Sequence, residues 1–111
     1  MLAIKLNAEG QAEEVQLADE GSQLEQLQSA VGGLVQAIDF TADLTIWVNE
    51  EGKLYGLPIN PMATFLWEKY FGFTDFICGD VIFTGGTGEE GETLGLNEET
   101  AKQLREFLRI D

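Results

Sequence analysis

Apolar residues recur along this chain in short runs, and each run is cut off by a glycine or asparagine turn. In Leu2–Leu6 and again in Leu44–Asn49 the large aliphatic residues stand at every second position, which is the period-two pattern of a half-buried strand. Leu24, Leu27 and Val31 follow helical spacing instead. Short strands and short helices can bury their apolar faces only against one another, so the pattern predicts an α+β domain.

The predicted elements follow the order β-β-α-β-β-β-α-β-α. Asn7-Ala8-Glu9-Gly10 is a turn that makes the first two strands a hairpin, and Asn49-Glu50-Glu51-Gly52 leads into a further short strand, Lys53-Leu54-Tyr55. We expect a mostly antiparallel sheet of about five to six strands packed against two to three helices, in one compact domain over residues 1–111.

Capping residues fix where the helices begin. Ser22 with Glu25 three residues later forms a capping box before the first helix, and Gly32 follows its end. Asn60 precedes Pro61, a good first helical residue, and Asn97 precedes the last helix.

The charge balance and the missing residue types limit which catalytic and metal-binding sites this chain can form. The chain has 20 acidic and 6 basic residues, no histidine, and Cys78 as its one cysteine. Histidine-dependent catalysis, a histidine zinc site and an internal disulfide are therefore excluded. Asp39, Asp43 and Asp80 are candidates for members of an acid–base pair of carboxylates, but chance pairs are inevitable in so acidic a chain. We expect no enzyme, no cofactor and no metal site, with Cys78 a buried packing thiol.

The same charge bears on location and partners. A net charge of -14 opposes direct binding to nucleic acid or to an anionic membrane surface, and favours a basic protein partner or simply high solubility. With no secretory signal, no membrane-spanning run and an unpaired thiol, we expect a cytoplasmic protein.

Two features are candidates for partner binding. One is an aromatic group that is too rich to be hidden by one short helix, so part of it should be exposed to a partner or to a second copy in a homo-oligomer; it consists of Phe65, Trp67, Tyr70, Phe71, Phe73 and Phe76. The other is a set of acidic residues near the start and end of the chain that could imitate the phosphates of DNA if they share a surface; it consists of Glu9, Glu13, Glu14, Asp19 and Glu20 near the start and of Glu89 to Glu99 near the end. The proposed partner-binding residues are Trp67, Tyr70, Phe71, Phe73, Glu89, Glu90 and Glu92.

A small-molecule module is the alternative hypothesis. A nucleotide could stack on Trp47 or Trp67 at a subunit junction and place its phosphates on the amides of Gly85, Gly86 and Thr87. The loop lacks a Gly-Lys-Ser/Thr ending and three glutamates follow it, so a flexible acidic connector is the preferred interpretation. Likewise Asn49-Glu50-Glu51-Gly52 could offer oxygen ligands to a cation, but it suits a tight turn better.

Several short motifs together resemble one small family. They are Val31-Gly32-Gly33, Asn49-Glu50-Glu51-Gly52-Lys53-Leu54, Gly56-Leu57-Pro58-Ile59-Asn60, Ala63-Thr64 and Ile77-Cys78-Gly79-Asp80-Val81-Ile82-Phe83. In this order they resemble domain of unknown function 3846, found in phages, plasmids and other mobile elements. The stretch from Phe65 to Phe76 is more aromatic than expected of that family. The resemblance implies a compact cytoplasmic accessory protein of mobile DNA and carries over no activity and no functional residues.

The leading hypothesis is thus a non-enzymatic acidic interaction protein of phage or mobile-element type. It would bind, and could inhibit, a basic host protein that handles nucleic acid or serves in defence.

Overall fold

Five strands form one antiparallel sheet in this computed structural model, which describes residues 1–18 and 23–110. The strands are β1 (Leu2–Leu6), β2 (Ala12–Gln16), β3 (Val35–Thr41), β4 (Leu44–Asn49) and β5 (Val81–Thr84). They lie in the order β2-β1-β5-β4-β3, so β2 and β3 are the two edges. The helices are α1 (Gln23–Val31), α2 (Pro61–Phe71) and α3 (Glu98–Leu108). The predicted α+β class, with five strands and three helices, is confirmed.

The sheet is the middle of three layers, because successive side chains of a strand point to opposite faces. Ala3 and Ile82 pack with Leu27 and Val31 of α1 on one face. The other face carries the larger cluster, which α2 and α3 cover with Ala63, Leu66, Ala101, Leu104 and Leu108. The centre of that cluster is fully buried and consists of Ile4, Leu6, Ile46, Val81 and Phe83.

Two asparagines cap helices as predicted. The Oδ1 atom of Asn60 accepts a 3.1 Å hydrogen bond from the backbone N–H of Ala63, with Pro61 at the first position of α2. Asn97 accepts a 2.7 Å bond from the N–H of Thr100 at the start of α3. The predicted capping box at Ser22 lies outside the described residues.

The predicted strand Lys53-Leu54-Tyr55 is wrong, since residues 51–56 form turns. Their backbone groups bond locally, as the N–H of Tyr55 does to the carbonyl of Glu51 at 3.0 Å. Leu54 and Tyr55 are exposed and pair with no strand in the described part of the chain. Local hydrogen bonds therefore replaced the sheet partner that this segment lacks.

The glycine-rich segment forms a hydrogen-bonded hairpin (residues 85–94) where a flexible connector was predicted. The N–H of Gly85 donates to the carbonyl of Leu94 at 2.9 Å, and that of Gly88 donates to the carbonyl of Glu92 at 2.8 Å. Thr87 and Thr93 form an isolated antiparallel bridge between them. A Cβ atom on Gly86 would overlap the carbonyl oxygen of Ala42. This glycine therefore permits close packing, whereas the sequence suggested that it provides freedom of movement.

Candidate functional site

An aromatic cluster lies against Phe40, a buried residue of the edge strand β3. Tyr70 stacks on the Phe40 ring with centroids 5.1 Å apart and planes at 13°. Phe71 tilts against the same ring at 5.6 Å, and Trp67 meets it edge-on at 6.3 Å. Because α2 places all three residues over one phenylalanine, the cluster is part of the core on its inner side.

The outer side of this cluster is exposed to solvent. Tyr70 and Phe71 are each partly exposed, and Phe73, just beyond the end of α2, is 90% exposed. Trp67 is half-buried, and its indole N–H donates a 2.9 Å hydrogen bond to the hydroxyl of Thr74. None of these four side chains is fully buried, and the prediction that part of the aromatic group is exposed is confirmed.

The base of the acidic hairpin and the inner side of the aromatic cluster both lie beside the turn between β3 and β4 (residues 41–43). Gly86, at the base of the hairpin, lies against the carbonyl of Ala42, two residues after Phe40. Glu89, Glu90 and Glu92 are exposed on the hairpin, and Asp43 is exposed on the turn itself. The fold thus brings both predicted partner-binding groups to one end of the sheet, which we call the acidic–aromatic end. It consists of Phe40, Asp43, Trp67, Tyr70, Phe71, Phe73, Glu89, Glu90 and Glu92.

The other predicted acidic group is divided between surfaces. Glu14 forms an ion pair with Arg105 of α3, and the neighbouring Glu13 projects to the opposite face of the sheet. Glu9 lines a groove with Glu106 near the end of α3. Asp19 and Glu20 lie outside the described residues. Within the described chain, the carboxylates near the start therefore do not form one continuous surface with the hairpin.

Two of the polar groups on which the alternative hypothesis depends are engaged within the fold, and its two tryptophans, Trp47 and Trp67, pack on opposite faces of the sheet. The indole N–H of Trp47 donates to the hydroxyl of Thr84 at 2.9 Å, and this hydroxyl donates to the carbonyl of Gly85 at 3.1 Å. The amide of Gly85 is bonded within the hairpin, and Gly86 is buried against Ala42. Thr87 is exposed. This geometry supports a phosphate cradle less well than a structural hairpin.

Two of the carboxylates considered for acid–base chemistry, Asp39 and Asp80, are bonded to different parts of the fold. Asp39 accepts a 2.9 Å hydrogen bond from the hydroxyl of Thr45, whereas Asp80 accepts a 3.2 Å bond from the backbone N–H of Ala8 in the β1–β2 turn.

Cys78 is a buried free thiol, as predicted. No cluster of three or more metal-ligating side chains occurs among the described residues, and none of the described helices is long and apolar enough to cross a bilayer.

A cleft beside β3 was missed by sequence reasoning. It has a volume of about 440 Å³ and lies between β3 and the segment that follows α2. Lys53 and Asp75 form an ion pair at this cleft, and the Lys53 ammonium lies 4.5 Å from the centroid of the Phe76 ring. The Lys53 ammonium, with a backbone N–H from Phe76, holds the pKa of Asp75 below its ordinary value. The lining residues come from four separate parts of the chain, so no local motif marks the cleft.

Comparison with known proteins identifies one relationship. The family model described as a domain of unknown function (DUF3846) matches residues 1–109. No curated protein and no solved structure matches the chain.

Proposed function

The chain belongs to the domain of unknown function 3846 family, and from that premise we propose that it acts as a non-enzymatic acidic interaction protein. The proposed partner is a basic host protein that handles nucleic acid or serves in defence, and binding would inhibit it by occupying its nucleic-acid surface. The acidic–aromatic end is the proposed contact surface. The observation that carries the proposal is that the hairpin with the exposed carboxylates and the cluster with the exposed aromatic rings are both anchored beside the turn between β3 and β4, through Gly86 and Phe40.

The charge balance supports a basic partner. The chain carries 20 acidic residues against 6 basic ones, and two of the basic residues, Lys53 and Arg105, are paired with carboxylates of the chain itself. The glutamates of the hairpin have no basic neighbour in sequence. A surface of this kind attracts a basic protein over a distance and raises its rate of association.

The aromatic rings add specificity to this attraction. Arginine side chains stack on exposed aromatic faces and bind carboxylates through two parallel hydrogen bonds. Tyr70 and Phe71, which pack on Phe40 beside the turn that carries Asp43, offer such faces, and Phe73 is exposed just beyond the end of α2. An arginine-rich surface that normally holds phosphates could therefore bind here in place of nucleic acid.

A capture experiment tests the proposal. The tagged protein is incubated with host lysate at low and at moderate salt, and any recovered protein is purified and titrated by calorimetry. We expect a basic protein whose affinity falls as salt rises, because added ions screen exposed charges. Binding that does not respond to ionic strength, or recovery of no basic protein, would refute the proposal.

Charge-neutral variants localise the contact. Changing Glu89, Glu90 and Glu92 together to glutamine should weaken binding at least about tenfold. The matched control changes Glu9, Glu13 and Glu25, which are equally acidic and exposed but lie elsewhere. If the control triple variant loses as much affinity as the hairpin variant, the acidic–aromatic end is not the contact surface.

A further inference from the structure

We propose that the open edge of β3 binds an extended basic segment of the partner as a sixth strand of the sheet. This inference rests on the proposed function and names the mode of recognition. Main-chain hydrogen bonds to an edge strand provide affinity in this mode, and pockets beside the edge select alternate side chains.

The hydrogen-bond pattern identifies the backbone groups that face outward. The N–H of Glu50 donates to the carbonyl of Leu34 at 2.8 Å, and the register continues with Gln36 opposite Val48 and Ile38 opposite Ile46. Backbone groups of an antiparallel strand point alternately to its two sides. The N–H and C=O groups of Val35, Ala37 and Asp39 therefore face away from β4. The register shifts only after Asp39, so the regular part of the edge covers residues 35–39.

The two edges of the sheet differ in how well their side chains protect them against pairing with another strand. At the β2 edge, Glu13 and Glu14 are both exposed within a strand of five residues. Charged side chains on a short strand discourage the addition of another strand. The β3 edge has seven residues and only one charge, Asp39, and Gln36 and Ala37 are exposed there. The β3 edge is thus the one open to pairing.

The cleft beside this edge suits the side chains of an added strand. Gln36, Ala37 and Ile38 form one wall of the cleft, and Trp67, Phe76 and Ile77 lie across from them. Ile38 and Phe40 face α2, so every second side chain of an added strand would also face that way. Those side chains would enter the cleft or lie on the aromatic cluster.

The charges around the edge favour a basic segment over a second copy. Asp39 is exposed on the strand, and Glu50 and Asp75 line the cleft. The one cation of the cleft lining, Lys53, is already paired with Asp75. A second copy would bring another net charge of -14 to this edge, whereas arginine or lysine side chains find carboxylates there.

A peptide experiment on the intact protein tests the inference. The probe is a fluorescent peptide that alternates arginine and valine, and its partner probe has the same sequence with every backbone amide N-methylated, which keeps the charge and side chains but removes the N–H donors on both sides of the strand. We expect the N-methylated peptide to bind at least about tenfold more weakly by fluorescence anisotropy. Equal binding of the two peptides would show that only net charge is recognised, and would overturn the inference.

Two proline variants of the protein provide a matched comparison. Ala37→Pro removes an outward N–H of β3 and leaves the β4 ladder intact, which edge strands tolerate. Gln16→Pro removes an outward N–H from β2, because Leu17 bonds to Met1 and the pattern then alternates. We expect A37P to weaken binding of the arginine–valine peptide about tenfold and Q16P to leave it within about twofold.

Amide hydrogen exchange on the unmodified protein makes the test independent of those variants. The peptide should slow exchange at Val35, Ala37 and Asp39, and unchanged exchange there would overturn the inference. A chain that is dimeric alone, and monomeric as A37P, would show that the edge binds a second copy and would equally overturn it. Salt-dependent capture of a basic protein by A37P at full affinity would refute strand addition while leaving the proposed function intact.

Discussion

The indole N–H of Trp47 on β4 donates a 2.9 Å hydrogen bond to the hydroxyl of Thr84 on β5, and Thr84 is fully buried. This bond crosses the centre of the sheet and satisfies the one polar atom of a large aromatic side chain. It also explains why a threonine stands at the end of an otherwise apolar strand, Val81–Thr84.

Thr84→Val should destabilise the protein by about 1–3 kcal/mol, because the indole N–H then loses its acceptor in a largely buried place. The measurement is urea unfolding followed by tryptophan fluorescence. Thr84→Ser keeps the hydroxyl and should cost less. In a double-mutant cycle, the loss in free energy of unfolding for W47F combined with T84V should be smaller than the sum of the losses for the two single variants. Strict additivity would show that the bond contributes nothing.

Asn60→Ala should lower the free energy of unfolding more than Asn97→Ala does, although both asparagines cap helices. The amide of Asn60 also donates to the carbonyls of Leu6 and Gly79, at 3.3 and 3.0 Å, and its side chain is fully buried. We expect a loss of about 3 kcal/mol for N60A, from the cap and the two unsatisfied carbonyls, against about 1 kcal/mol for the exposed cap at Asn97. Chemical denaturation of both variants measures the two losses in free energy of unfolding, and equal losses would contradict this explanation.

Gly86→Ala should destabilise the protein by more than about 2 kcal/mol, because its Cβ would overlap the carbonyl oxygen of Ala42. Thr87→Ala, one residue further along the hairpin and exposed, is the control and should change stability little. Thermal unfolding of the two variants compares them. A G86A protein as stable as the unmodified chain would indicate that the hairpin does not depend on this contact.

The Lys53–Asp75 pair should contribute to stability in a pH-dependent way. The folded pKa of Asp75 is lowered, so its contribution is present above the unfolded pKa and is lost as pH falls through the folded pKa. Both side chains are substantially exposed, so the effect should be small. Asp75→Asn and Lys53→Met should each flatten the acidic limb of a stability–pH curve. An unaltered acidic limb in both variants would show that the pair is not formed in solution.

Nucleotides should not raise the melting temperature of the protein. The amides of Gly85 and Gly88 are bonded inside the hairpin, and the Trp47 indole is tied to Thr84. A ligand that binds the folded state stabilises it by an amount that grows with the logarithm of the ratio of ligand concentration to Kd, and so raises the melting temperature. A clear upward shift with any nucleotide, abolished by Trp47→Leu, would favour the small-molecule hypothesis instead.

Local signals in the sequence predicted most elements of the fold. Alternation identified β1 and β4, and the caps at Asn60 and Asn97 fixed the starts of two helices. The segment Lys53-Leu54-Tyr55 misled because strand propensity alone does not reveal whether a partner strand exists.

The candidate site was harder to predict because its parts meet only through the fold. The aromatic residues and the hairpin glutamates were recognisable by composition. No short sequence motif, however, indicates that the fold brings the segments that carry them to the two sides of residues 41–43. Gly86 looked like a source of mobility because the atom it contacts, the carbonyl oxygen of Ala42, is distant in sequence. The open edge of β3 follows from strand order, which short patterns do not determine.

The position of β1 between β2 and β5 has a consequence for synthesis in the cell. Ile4 pairs with Phe83, so the sheet cannot close until most of the chain has left the ribosome. During elongation the β1 side of the β1–β2 hairpin must wait unpaired, whereas the glutamates of β2 discourage nascent chains from adding a strand at the opposite edge.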